Sequence, residues 1–410
     1  MSARFSHPLF FLLIRFVTLG LRFLFVALFF KHSEALFGEF SLIATTVMLG
    51  VYLLGMDFYT YAQRELLSRK NGVSFVFLHQ LLFYLLLYVL VLPAFYLVFK
   101  SGFLSKSYWI LFYAVLVGEH LSFEVHRLLF VMKKPLAANV NLFFRNGFWV
   151  LPVVYFFLTK KDISLHSILI FWLLGDILSL FPLMALLTKD RIQKALAFRP
   201  DWPWLKKGWQ VSIPFFLATF AFKVIELSDR YFIDYFYDKA TVGVYSFFGN
   251  ISYLVNTVVF TAVISLRYPG LVESILSRDA GSFRKKFSVF KQQTIRWTIL
   301  SAVGVAVFLP VILVVLNKRE RLEAYPVFLL LLLSNVLLNL SLIYHYVLYG
   351  FKKDRHLLAA AFSGMLLNVG LNFIVVPGLG MLGAALTTLT AMLIVFLIKF
   401  YRSKRLTGGF

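Results

Sequence analysis

Long apolar runs separated by short charged or Gly/Pro-containing breaks dominate the chain. Runs that could cross roughly 30 Å of hydrocarbon, about 20 helical residues each, fall at 9–30, 38–60, 73–99, 107–131, 139–158, 165–188, 209–228, 240–266, 293–316, 325–349, 357–376 and 380–400. Within them polar and apolar residues show no persistent alternation, as in FVFLHQLLFYLLLYVLVLPAFYLVF. A transmembrane barrel needs that alternation, so the pattern predicts helices: an all-α polytopic membrane protein with about twelve transmembrane helices. The opening run MSARFSHPLFFLLIRFVTLGLRFLFVALFF lacks a small-residue cleavage pattern and is read as a retained first helix.

A charged break divides six spans from six. The expected organisation is an N-terminal six-helix lobe at 1–188, a linker at 189–208, a C-terminal six-helix lobe at 209–400 and a tail at 401–410. Trp202, Trp204 and, just beyond, Trp209 mix with charge around the linker, which reads as an amphipathic segment lying at the membrane interface. FGEFSLI at Phe37 resembles VGVYSFF at Val242, placing Gly38 over Gly243 and Ser41 over Ser246 at the start of the second helix of each half. An internal repeat of this kind is a recurrent way to build alternating access.

Composition agrees: the chain is 60% hydrophobic with mean hydropathy +0.82, far from an ordinary soluble domain. It has no cysteine, which excludes disulfides and thiolate metal sites. A net charge of +22 could suggest nucleic acid, but the basic residues mostly fall between apolar spans and form no single aromatic-interleaved patch, so no nucleic-acid partner is expected. The N-terminus, the even-numbered loops and the C-terminus, with the span ends facing them, carry 27 Lys and Arg against 10 in the odd-numbered loops. By the positive-inside rule both termini are expected in the cytoplasm, with DRYFIDYFYDK outside.

Charges inside the spans are the candidate chemistry, because ionised groups at membrane depth are costly unless paired, solvated or used. Arg15 and Arg22, seven residues apart, share a face of the first span near its middle and read as a cationic stripe. In GEHLSFEVHRLL, His120, Glu124 and Arg127 share one face and Glu119 and His126 another, which predicts a polar face toward an aqueous cavity. The two histidines lack the compact HExxH spacing, so no metal is expected. Lys223, Glu226 and Arg230 recur at i, i+3 and i+7 with a surplus positive charge, suited to phosphate. Asp57 and Asp176 read either as structural partners for cations or as proton carriers. There is no GxSxG elbow, no GxxxxGK[ST] loop and no loop long enough for an ATPase domain, so neither soluble enzyme chemistry nor a cofactor is expected.

Three stretches carry a family resemblance. SDRYFIDYFYDKATVGVYSFFGNIS resembles the start of the second half in bacterial polysaccharide exporters of the multidrug/oligosaccharidyl-lipid/polysaccharide exporter (MOP) superfamily, where an acidic-Arg pair ends helix seven and a Gly-aliphatic-Tyr-Ser run opens helix eight. FGEFSLIATTVMLGVYLLGMDFYTYAQRE resembles the entry into helix two, with Arg64 as the later arginine. NVGLNFIVVPGLGMLGAALTTLTAML is similar to the Asn-rich helix eleven, its Pro-Gly turn and helix twelve, through Asn368, Asn372, Pro377, Gly380, Gly383, Ala384 and Ala385.

The resemblance implies a MATE-like architecture with two lobes around a central cavity, in the bacterial cytoplasmic (inner) membrane. It implies flipping of an undecaprenyl-diphosphate-linked oligosaccharide, an O-antigen or other surface-polysaccharide unit, to the outer leaflet. Expected partners are the lipid-linked glycan, membrane lipids, and polysaccharide polymerase and chain-length machinery. Arg15, Arg22, Glu119, His120, Glu124, Lys223 and Glu226 are the cavity candidates. Asp57, Asp176, Asp229 and Arg230 are candidates for gating or for coupling to H+, Na+ or membrane potential, with Asp229 and Arg230 placed at the outer edge of the bilayer. A multidrug exporter of the same superfamily and a membrane glycan polymerase or ligase are the alternatives.

Overall fold

The computed structural model describes residues 8–68, 72–186 and 198–407, and among these it contains helices and no strand. Its first elements are α1 (Pro8–His32), α2 (Glu34–Gly55), α3 (Tyr59–Leu67) and α4 (Val73–Val91). A 3-10 turn around Pro93 joins α4 to α5 (Tyr96–Lys100), and α6 follows at Trp109–Val131. The fifth apolar run forms α7 (Pro135–Phe143) and α8 (Val150–Leu158), joined by a π-helical stretch at Phe144–Phe148. The sixth forms α9 (Leu165–Ser179), opened by Ser164, whose hydroxyl accepts from the Ser167 amide.

The later helices are α10 (Trp202–Leu227), α11 (Asp229–Phe236), α12 (Lys239–Val259) and α13 (Ser265–Leu276). They are followed by α14 (Ala280–Val315), α15 (Tyr325–Gly350) and α16 (Asp354–Thr407). Asp238 and Asp279 cap α12 and α14 by accepting from Thr241 and Ser282 amides. The cap at Asp279 makes AGSFRKKF the first turns of a helix instead of the loop its charge suggests.

Among the described residues, ten helical segments are long and apolar enough to cross a membrane. The last of them, Asp354–Leu406, holds two of the twelve runs, folded back at Gly380, whose φ of 53° breaks the helix. The remaining run is α6, 23 residues long, whose apolar character is diluted by Glu119, Glu124 and Arg127. The chain is thus a multi-pass membrane protein, with side chains such as Leu90, Val307 and Ile374 presenting apolar outer surface.

The chain packs as two units: Met1–His32 with Leu42–Phe216, and Ser33–Ser41 with Leu217–Phe410. In the first, Phe58, Tyr61, Phe83 and Trp204 form an aromatic core. Trp204 is buried beside Phe75 and His79 while Trp202 and Trp209 are exposed, and α10 starts at Trp202, seven residues before the expected span. Asp201 sets that start, its carboxylate accepting from the Trp204 amide at 2.9 Å while its own amide donates to His79 Nε2 at 2.8 Å. The rest of the linker, 189–197, lies outside the described residues, as do the tail's last three positions.

In the second unit, the two copies of the short repeat pack on each other. A Cβ on Gly38 would lie 1.7 Å from the Lys239 carbonyl oxygen, and one on Gly243 2.1 Å from that of Glu34. The backbones of α2 and α12 therefore touch, which only glycine permits. Beside this contact Glu34 is held by Arg321 through two bonds of 3.0 and 2.6 Å and by Lys318 at 2.9 Å.

Candidate functional site

In the first unit, α1, α6, the π-helical stretch and α9 bring together Arg22, Glu119, Arg145 and Asp176. Glu119 lies 3.6 Å from Arg145 Nε and accepts from Trp172 Nε1 at 3.2 Å. Arg22 lies over the ring of Trp149, 5.8 Å from its centroid, within the electrostatic reach of Glu119, Arg145 and Asp176. Asp176 is fully buried, and among the described residues neither of its carboxylate oxygens has a hydrogen-bond partner. Arg145 also stacks on Phe123 at 4.6 Å, while its Nε and Nη1 make no hydrogen bond among the described residues. Two arginines and two carboxylates in so dry a place interact far more strongly than at a surface.

Arg145 is the residue that sequence reasoning leaves unassigned here. The cation that Glu119 needs comes from another helix, where the π-helical turn over FRNGF re-aims the side chain. A lone arginine within an apolar run was its sequence signal.

A second cluster occupies the next turns of α6. Glu124 receives Arg127 Nη1 at 2.5 Å, Gln80 Nε2 at 2.9 Å and the Tyr84 hydroxyl at 2.7 Å. Arg127 also stacks on Tyr59, 3.5 Å from the ring centroid. His120 Nδ1 pairs with the Tyr88 hydroxyl at 2.7 Å, and His126 Nδ1 with the Ala138 carbonyl at 3.0 Å. The expected solvated face is thus closed: Glu119, His120 and Glu124 are 7%, 0% and 8% exposed, because aromatic residues of α4 and α9 cover them. Arg15 donates to Asn139 Oδ1 at 3.0 Å and lies over Phe130. Asp57 is buried just past the end of α2 with a positive φ of 49°, a backbone conformation carboxylate and amide residues tolerate best after glycine.

In the second unit, Lys223 Nζ pairs with Glu226 at 2.7 Å. Arg230 then donates to neutral acceptors, Ser246 Oγ at 3.1 Å and the Glu226 carbonyl at 3.2 Å. The charge surplus of this face therefore resides on Arg230.

Asp229, which its place in the sequence assigns to the outer edge of the bilayer, is enclosed by protein and 1% exposed. The break between α10 and α11 at Ser228 turns it into the bundle. There it accepts from Asn372 Nδ2 at 2.8 Å, Asn368 Nδ2 at 3.3 Å, Thr388 Oγ1 at 2.5 Å and the Tyr245 hydroxyl. Four donors replace the water a buried carboxylate loses. A surrounding shell ties the donors together: Ser228 donates to Asn368 Oδ1, and Thr387 to Asn372 Oδ1. Asn368 and Asn372 are visible in the sequence as an i, i+4 pair; Tyr245, Thr387 and Thr388 emerge only when the fold at Gly380 returns the chain. Donors gathered this way satisfy an ionised carboxylate, and a proton or cation taken up there would have to displace at least one of them.

The fold that holds these groups is the MATE-like helical fold of multi-pass membrane proteins. Solved structures similar to this chain include an inward-facing multidrug resistance MATE-family transporter of the MOP superfamily, with TM-score 0.74 and 16% identity over 95% of this chain and 94% of that one. The lipid II flippase MurJ, in an inward closed conformation, matches with TM-score 0.65 and 19% identity over 97% and 88%. An outward-facing MATE-family transporter matches with TM-score 0.63 and 14% identity over 97% and 95%. No family model and no curated protein sequence matches the chain. The likeness is one of fold.

Proposed function

We propose that this protein is a flippase that moves an undecaprenyl-diphosphate-linked oligosaccharide across the bacterial cytoplasmic membrane by alternating access. One observation carries the reading: Arg15 and Arg230, in or beside the apolar spans, are held by neutral groups. Arg15 rests on an amide and a phenyl ring and Arg230 on a hydroxyl and a carbonyl, while Arg22 lies over an indole within reach of Glu119 and Asp176. Guanidinium groups placed this way keep their capacity for a diphosphate, while sugars take the polar groups and the lipid tail stays in the bilayer. The fold similarity to a lipid II flippase supports the same substrate class. A non-enzymatic role follows, with polysaccharide polymerase and chain-length machinery acting on the delivered product.

The Asp229 cage is the proposed coupling element. Uptake of H+ or Na+ by its carboxylate changes which of Asn368, Asn372, Thr388 and Tyr245 it can hold, and so biases α11 against α16.

A multidrug exporter is the second reading, favoured by the 0.74 TM-score to a MATE-family transporter. A cation-poor, acidic binding surface would suit that role, whereas the candidate groups here include Arg15, Arg22 and Arg230. The test is reconstitution in vesicles with a defined lipid-linked oligosaccharide, following its appearance in the outer leaflet. Arg22→Ala and Lys223→Ala are expected to slow flipping about tenfold or more, in line with loss of a charge-assisted phosphate contact, at normal membrane insertion. Wild-type rates in both variants would reject these assignments, and efflux of cationic drugs without glycan flipping would favour the exporter.

A further inference from the structure

Helix α16 folds back at Gly380, so its first turns and its last turns lie together at the other end of the hairpin. Between them is a cleft of about 430 Å³. Leu397, Ile398 and Ala359 give it aliphatic walls, while His356, Tyr401, Arg402 and Arg405 give it a polar set. A second recess shares His356 and adds Lys352, Lys353, Asp354 and Arg355. Five Lys and Arg residues thus meet a single carboxylate.

The spacing is helical on both arms. His356, Ala359 and Ser363 recur at three and four residues on one arm; Ile398, Tyr401, Arg402 and Arg405 do so on the other. Arg402 and Arg405, three apart on one face, repel each other, and among the described residues no ion pair neutralises either. Lys353 and Arg402 both act electrostatically on His356. Water and salt screen part of the repulsion among these exposed cations, and a bound anion would relieve the rest. Lys399, one turn away, points elsewhere, over Phe222 and toward Ser341, so the basic cluster is not merely the helix's general composition.

We infer that this cleft binds the phosphate headgroup of an anionic membrane phospholipid. Arg402 and Arg405 hold the phosphate oxygens, and one acyl chain runs along Leu397, Ile398 and Ala359. Position decides between phosphate sources: the cleft sits at the end of two membrane-crossing arms, where headgroups are, and its walls are apolar, which a free phosphate does not require. Tyr401, exposed at the same level, is the kind of aromatic that anchors at that interface.

The test uses the full-length protein in neutral detergent, with intact-protein mass spectrometry reading retention of added dioleoylphosphatidylglycerol or dioleoylphosphatidylcholine. Wild type is expected to retain one phosphatidylglycerol through delipidating washes and to release phosphatidylcholine. Arg402→Gln with Arg405→Gln is expected to weaken retention about 30-fold, from the loss of two interfacial cations. Ala359→Phe fills the cleft without changing charge and is expected to lose the lipid too, which keeps the proposal testable if the double variant misfolds. Lys285→Gln with Lys291→Gln removes the same charge from exposed positions of α14 and should retain it. Equal retention of both lipids, unaltered retention by the cleft variants, equal loss in the α14 variant, or displacement by millimolar inorganic phosphate alone would each overturn the assignment.

Discussion

Asp229 and Arg230 are sequence neighbours with opposite surroundings. Arg230 donates to a hydroxyl and a carbonyl, whereas Asp229 is enclosed by Asn368, Asn372, Thr388 and Tyr245. Removing the carboxylate takes away the shared acceptor, leaving Asn368 with Thr388 and Asn372 with a long bond to Asn368, at about 1–3 kcal/mol for each donor left unsatisfied before the site relaxes. Asp229→Ala is therefore expected to cost about 3–5 kcal/mol of stability, near the upper limit for a single substitution. Asp229→Asn keeps the shape and one acceptor and is expected to cost less than half as much. Both should abolish the dependence of transport on an imposed H+ or Na+ gradient. Denaturation in detergent measures the first effect and gradient-driven flipping in vesicles the second. Asp229→Asn with an intact gradient response would remove Asp229 from coupling while leaving its structural role untouched.

At the scale of elements, the paired glycines of α2 and α12 set a close approach that no side chain can share. Gly38→Val is expected to destabilise the second unit by more than the roughly 1–3 kcal/mol of ordinary overpacking, because the obstacle is the Lys239 carbonyl, which cannot swing aside. Gly370→Val, where a Cβ would meet nothing within 4 Å, is the matched control and should melt near wild type. Gly380→Ala should lower the melting temperature through backbone strain of about 1–3 kcal/mol, since its φ of 53° and ψ of −132° lie outside what alanine favours. These glycines also mark how far the sequence could be read. Gly38 over Gly243 was legible as a repeat, and apolar run length placed a helix over each expected span. That the repeat copies touch was not legible, since similarity of two segments says nothing of their distance. Helix ends were less legible than helices: capping by Asp201 moved the start of α10 forward, and burial of Trp204 followed from it. The break at Ser228 likewise carried Asp229 inward, and charge count along the chain has no term for such a rotation. Glu119 was visible as a carboxylate lacking a partner within its helix, but Arg145 supplied that partner through a π-turn that sequence period does not reveal.

For the whole molecule, orientation rests on charge: 27 Lys and Arg on one side against 10 on the other. The bias is strong over short loops, where the positive-inside rule operates best. It predicts that Lys352 and Lys353, between α15 and α16, and Arg355, in the first turn of α16, lie on the cytoplasmic side together with Arg402 and Arg405, and that Lys160 and Lys161, between α8 and α9, lie outside. The hairpin of α16 makes the first part of this a consistency requirement, because both of its ends line one cleft and must share a side. The absence of cysteine allows single-cysteine mapping without first removing native thiols. Lys161→Cys, exposed after α8, is expected to react with a membrane-impermeant maleimide in intact spheroplasts. Lys353→Cys and Arg405→Cys, also exposed, are expected to react only after permeabilisation. The reverse pattern would invert the orientation while preserving the fold. Opposite sidedness of Lys353→Cys and Arg405→Cys would break the hairpin itself, and with it the lipid cleft, so the same three labels test topology at two levels.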